Sequence, residues 1–110
     1  MILPSREFER YHAHVYFDET SLEIATSLRE PVASKFNIEL GRVHTKPVGP
    51  HPCWSYQILF SHDEFDEIIT WLDAHRQGLT VLLHPEAGSF VIDHTERAGW
   101  LGEPVELNLS

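Results

Sequence analysis

Histidine is the residue type in this chain with the most chemistry to offer. Eight of the 110 residues are histidine. His12 and His14 flank Ala13, His51 and His84 each precede a proline, and His94 stands between Asp93 and Thr95. Neutral imidazole ligates zinc, iron, copper or nickel. It also takes and returns protons near neutral pH. In a strand, an HxH pair puts both rings on one face, roughly 6.6–7 Å apart along the chain. Both can lean onto one ion at about 2.0–2.1 Å. HxH by itself is a weak signal, because two hydrogen-bonded structural histidines look the same. A third histidine arriving at the same place would strengthen the metal reading.

The remaining candidates carry less. His62 and His75 flank an amphipathic stretch and read as solvated, and His44 is ambiguous, with a structural role favoured over a chemical one. Cys53 is the sole cysteine, which excludes an internal disulfide and a cysteine-based zinc ribbon. It reads as a small apolar side chain. Asp63, Glu64, Asp66 and Glu67 crowd the start of a helix, where the helix dipole favours acids. No Gly-rich phosphate loop, G-x-S-x-G elbow or H-E-x-x-H is present. No serine is distinguished by its context. The three tryptophans, Trp54, Trp71 and Trp100, read as packing groups.

The elements decide where these residues meet. Residues 11–17 alternate and are rich in β-formers. Tyr11, Ala13, Val15 and Phe17 share one face, and His12, His14 and Tyr16 share the other. A helical pattern runs from Asp18 to Asn37, opened by a Thr20–Glu23 capping box and broken near Glu30 by Pro31. Residues 40–46 form a short strand. A stiff loop with three prolines and a glycine follows at Pro47–Pro52. Residues 54–60 form the third strand. Trp54, Tyr56, Ile58 and Phe60 lie on one face, and Ser55, Gln57 and Leu59 on the other. Ser61 and Glu64 form a second capping box for a helix that buries Phe65, Ile68, Ile69 and Leu72 and ends at Arg76–Gly78. Residues 79–83 are the last strand, stopped by His84-Pro85. No regular element is expected after Glu86, apart from a helical turn at Thr95–Trp100.

This order predicts a single α+β domain over residues 1–110. It is the ferredoxin-like βαββαβ pattern, a four-stranded antiparallel sheet with both helices on one face. The strand order is then fourth, first, third, second. The start of the first strand lies beside the end of the fourth, so His12, His14 and His84 converge. His51 joins them only if its loop folds over the polar sheet face or a second subunit supplies it. That face, carrying His12, His14, Tyr16, Ser55 and Gln57, needs a cover from the tail or from a homodimer partner.

Composition bounds the function. The chain carries 8 Lys+Arg against 17 Asp+Glu, a net charge of −9. Residues 56–110 alone hold 10 acids and 2 bases. No basic stripe exists, which argues against nucleic acid and anionic membranes as partners. No apolar run approaches the roughly 18 residues of a membrane span. The first residues lack the apolar core of a signal peptide, so a cytoplasmic location is expected.

Four ordered blocks carry a resemblance. Tyr11-His12-Ala13-His14-Val15-Tyr16-Phe17 is the first. Gly49-Pro50-His51-Pro52 with Ser55-Tyr56-Gln57 is the second, and Leu83-His84-Pro85 the third. The fourth is Asp93-His94-Thr95 with Trp100-Leu101-Gly102-Glu103-Pro104. Together they resemble the DOPA 4,5-dioxygenase family, from residue 11 almost to the C-terminus. The resemblance implies a ferredoxin-like fold and extradiol cleavage of DOPA or a related catechol with Fe(II) and O2, although purified protein could carry zinc. Better-known members make a ring-opened product on the route to betalain-type pigments. Under this reading His12, His14 and His84 hold the metal. His51 and His94 do acid–base work or bind substrate, and Gln57 contacts substrate from the polar face. Many extradiol enzymes use two histidines and one carboxylate, so Glu86 stays open as a third ligand. Two alternatives remain. One is a non-catalytic dimeric module that binds a small aromatic ligand or a metal. The other is a zinc-dependent hydrolase.

Overall fold

A computed structural model describes residues 2–109. Strand β1 spans Arg10–Phe17, helices α1 and α2 span Leu22–Ser27 and Arg29–Lys35, and β2 is the two-residue Glu39–Leu40. Strand β3 spans Trp54–Ser61 and leads through a 3-10 turn at His62–Glu64 into α3, Phe65–His75. Strand β4 spans Val81–Pro85, the four-residue α4 spans Phe90–Asp93, and β5 spans Gly99–Leu101. The sheet order is β2-β3-β1-β4-β5, and every pair is antiparallel.

The first four strands stand in the expected order, with β1 in the centre. The expected four-stranded sheet is corrected to five, because the tail adds β5 to the free edge of β4. Gly99 lets the N-terminal segment approach the other side of β5, where Ile2 bridges to Trp100: a Cβ at Gly99 would lie 2.7 Å from the Pro4 side chain and closer still to the Ile2 carbonyl oxygen. A strand seed of three residues, Gly-Trp-Leu, is too short to show period-two alternation.

The helices differ from expectation in their ends. Proline at position 31 has no N–H to donate. The chain resolves this by ending α1 at Ser27 and restarting at Arg29, so Pro31 falls in the first turn of α2, where its N–H is not needed. Neither capping box forms. The Asp18 carboxylate accepts from the Thr20 and Ser21 N–H groups at 2.9 and 3.1 Å instead. Glu64 accepts from the Asn37 N–H at 3.1 Å, tying the end of the first helical region to the start of the second.

The faces of β1 and β3 are as the alternation predicts. Tyr11, Ala13, Val15, Tyr56 and Ile58 are fully buried in the core with Val32, Ile68 and Leu72 from the helices. Tyr56 also donates from its hydroxyl to the Ala25 carbonyl at 2.6 Å, locking α1 to the sheet. The opposite face carries the histidines. Its cover comes from the same chain: the loop reaching His51 and the segment containing α4 fold over it. No helix among the described residues is long and apolar enough to cross a membrane.

Candidate metal centre

Strand pairing delivers the first three histidines. His12 lies directly opposite His84 across β1 and β4, and His14 lies opposite Leu82, one diagonal step away. Diagonal neighbours are within reach of long side chains, and the Nε2 atoms of His14 and His84 stand 2.9 Å apart. The His12 and His84 rings have centroids 4.9 Å apart. One nitrogen from each of His12, His14 and His84 falls within a 4.8 Å sphere of mutual distance.

A turn and a short helix deliver the other two. Gly49 takes φ +54°, a left-handed conformation that suits glycine. The turn it opens closes when the His51 N–H donates to the Val48 carbonyl at 3.0 Å. The Asn108 N–H donates to the Pro50 carbonyl at 2.8 Å, so the C-terminal tail pins this loop down. His51 then packs against His14 at 4.1 Å between centroids. Ser89 accepts the Ile92 N–H to cap α4, and α4 presents His94 to His84 at 4.1 Å between centroids. His14, His51 and His94 make a second triad within 4.8 Å, sharing His14 with the first. All five expected histidines and Gln57 line one cavity of about 370 Å³, together with Glu86 and Phe90.

The hydrogen bonds set the tautomers. A carbonyl oxygen only accepts. His84 Nδ1 lies 2.8 Å from its neighbour Pro85's carbonyl and His94 Nδ1 lies 2.7 Å from the Phe90 carbonyl. Both rings therefore carry a proton on Nδ1, and each neutral ring has a bare lone pair on Nε2. His12 Nε2 donates to the Glu86 carboxylate at 3.1 Å, so its own lone pair is on Nδ1. Glu86 thus orients His12 and belongs to neither triad. The Tyr16 hydroxyl meets His51 Nδ1 at 2.7 Å.

Burial disfavours charge on His12, His14, His51 and His84. Desolvation is the largest cause in every shifted ring, and the other histidines add to it. It holds His14 well below its ordinary value, His51 down to about 4 and His84 down to about 3, where the bond to Pro85 only partly opposes it. His12 is lowered too, with the Glu86 carboxylate working against the shift.

These residues fit a metal ion. Ligands need neutral imidazoles with free lone pairs, and ring N–H groups held by carbonyls or carboxylates are the usual support for them. Two nitrogens each about 2.0–2.1 Å from one ion stand roughly 3.0–3.4 Å apart. The 2.9 Å separation of His14 and His84 needs only a slight opening.

His44 bridges to Ser55 in backbone pairing, and His62 and His75 bond to the carbonyls of Arg6 and Trp71 away from the cluster. Trp54 and Trp71 pack against the core. Trp100 sits edge-on to Tyr16 at 6.2 Å. Cys53 is half-buried rather than enclosed. Two working residues escape a reading of the sequence. Buried Asp93 accepts from the Ala87 N–H and from Arg97, both at 3.1 Å, and so anchors α4. Tyr16 is visible as a polar-face residue, but nothing in the sequence gives it a partner.

Fold and site together define the class: an α+β protein with a buried histidine cluster able to hold a metal ion. The chain belongs to the Dopa 4,5-dioxygenase family, whose model matches residues 11–110. It is 31% identical over 113 residues to a DOPA 4,5-dioxygenase of Amanita muscaria, covering 94% of this chain and 50% of that one. It is 33% identical over 112 residues to an uncharacterized 21.2 kDa protein of Botryotinia fuckeliana, covering 91% of this chain and 61% of that one. The chain therefore spans between half and about three-fifths of these curated relatives. A crystal structure of a candidate dioxygenase from Nostoc punctiforme superposes with a TM-score of 0.90 at 44% identity, covering 94% of this chain and 90% of the other.

Proposed function

We propose that this chain is an extradiol ring-cleaving dioxygenase that uses Fe(II) and O2 on DOPA or a related catechol. The observation that carries this is the pair of Nε2 atoms 2.9 Å apart on adjacent strands, roofed by two further histidines. Family membership supports it, as does the DOPA 4,5-dioxygenase named in Amanita muscaria. His12, His14 and His84 are the proposed ligands. A ferrous ion there would supply one centre at which both catechol oxygens and dioxygen meet, a proximity effect.

The side chains do the rest. A cavity of about 370 Å³ has room for one aromatic ring. Phe90 offers a ring face, and Gln57, opposite His14 in the β1–β3 register, offers an amide to the substrate's polar groups. His94, with its proton held on Nδ1, faces the substrate as a base for a catechol hydroxyl proton. His51 shares the acid–base work. Overall, one catechol and one O2 give one ring-opened product that keeps both oxygen atoms.

The proposal takes residues 1–110 as one ferredoxin-like domain with β5 added, acting in the cytoplasm as a homodimer. The test is metal analysis of protein purified without oxygen, beside oxygen uptake on DOPA and simpler catechols. Iron with catechol-dependent uptake is expected. Tightly held zinc with no uptake after iron loading would favour the non-catalytic binding module.

A further inference from the structure

We propose that Tyr16 is a positioning residue whose hydroxyl proton holds His51 as an Nε2–H donor facing the cavity, and so keeps His51 out of the metal's ligand set. The role in catalysis rests on the dioxygenase reading; the tautomer does not.

Tyr16 is 3% exposed. Among the described residues its hydroxyl has one hydrogen-bond partner, His51 Nδ1 at 2.7 Å. A buried phenol proton with no acceptor costs about 1–3 kcal/mol. His51 Nδ1 is the acceptor within reach, so the hydroxyl donates and Nδ1 accepts. A neutral imidazole then carries its own proton on Nε2. The Tyr16 ring is held edge-on by Trp100, and its backbone N–H by the Thr80 carbonyl at 2.9 Å. The donor is therefore fixed on the sheet, not on the loop that carries His51.

The contrast with the neighbours is what gives this force. His84 and His94 have backbone carbonyls on Nδ1 and offer lone pairs on Nε2. His51 has a hydroxyl donor on Nδ1 and offers a proton. The two triads that share His14 are thereby made unequal. His14, whose Nε2 proton bonds to the bare His84 Nε2 at 2.9 Å and must leave that nitrogen for any ion, is common to both. His12 and His84 already offer lone pairs, whereas the other triad contains a ring whose one free nitrogen is protonated. His51 and His94 also become complementary, one presenting a proton and the other a lone pair on either side of the cavity.

The test reads the tautomer directly. Metal-free protein with 15N-labelled histidine is measured at pH 8 by long-range 1H–15N correlation. His51 is expected with a protonated Nε2 and a bare Nδ1, opposite to His84 and His94. Adding Zn2+ should move the nitrogens of His14 and His84 and leave the protonated Nε2 of His51 in place. Tyr16→Phe should release the bias and populate the Nδ1–H form of His51. In the iron-loaded enzyme that variant should lower kcat by about 10–100-fold with metal content and KM unchanged. An Nδ1–H His51 in the parent protein, or zinc-induced loss of its Nε2 proton, overturns the inference. Neither measurement requires a variant to fold. If the tautomer is as stated but no catechol is consumed, the dioxygenase reading fails and the Tyr16–His51 assignment stands. If catechol is cleaved while His51 is Nδ1–H, the reverse holds.

Discussion

At the scale of single residues, position in the hydrogen-bond network separates ligands from proton carriers. His14 and His84 approach one point from adjacent strands, and a single imidazole cannot hold an ion there. His14→Ala or His84→Ala should therefore lose iron and oxygen uptake together. His51→Ala or His94→Ala should keep the iron and lose about 10²–10⁴-fold in rate, the usual worth of general acid–base catalysis. His62→Ala, at an exposed turn where the ring bonds to the Arg6 carbonyl away from the cluster, should change neither. Iron content measured beside oxygen consumption checks all five variants.

The same residues make the metal-free protein sensitive to acid. His51 and His84 are held down to about 4 and about 3, against an ordinary value near 6.5. Below pH 6.5 the unfolded chain binds protons that the folded chain refuses. Stability is thus fully present above about pH 6.5 and falls as pH drops toward 4. The slope is about 1.4 kcal/mol per pH unit for each histidine that titrates this way. Urea denaturation of metal-free protein at a series of pH values reads this directly. His84→Gln should flatten part of the slope, and an unchanged slope in that variant would count against a neutral buried cluster.

At the scale of elements, two small pieces hold the site in place. Tyr56 ties α1 to β3 through its buried hydroxyl. Tyr56→Phe removes the shorter of the Ala25 carbonyl's two bonds, leaving the Leu28 N–H at 3.4 Å, and should cost about 0.5–1.5 kcal/mol in denaturant unfolding, with iron binding kept. Asp93 anchors α4 through two bonds. Asp93→Ala should loosen α4 and lower the rate through misplaced His94, again with iron content unchanged. Loss of iron in Asp93→Ala would mean that α4 belongs to the metal centre itself.

At the scale of the whole molecule, the polar sheet face is covered by the chain's own loop and tail, so that face no longer calls for a partner subunit. The case for a homodimer moves to α4, where Phe90 and Val91 are 55% and 56% exposed beside the cavity. A net charge of −9 opposes larger aggregates. Sedimentation at micromolar concentration should show a dimer, and Val91→Glu should dissociate it. A single 12.7 kDa species in the parent protein would exclude it.

What was legible in the sequence came from short periods. Alternation in residues 11–17 and 54–60 assigned the two faces of β1 and β3 correctly, because a strand's side chains must alternate whatever surrounds them. Helix and strand order predicted β1 at the centre, and with it the meeting of His12, His14 and His84. Capping boxes misled, because Ser, Thr, Asp and Glu compete for the same few N–H groups and only folded distances choose among them. Tertiary structure alone decided the rest. Whether the Pro47–Pro52 loop crosses the sheet depends on a tail bond from Asn108, some sixty residues later. The fifth strand and α4 form because β4 offers a free edge and Asp93 finds Ala87 and Arg97. Which nitrogen of each histidine carries its proton depends on whether a carbonyl, a carboxylate or a hydroxyl faces it, and no spacing in the sequence records that.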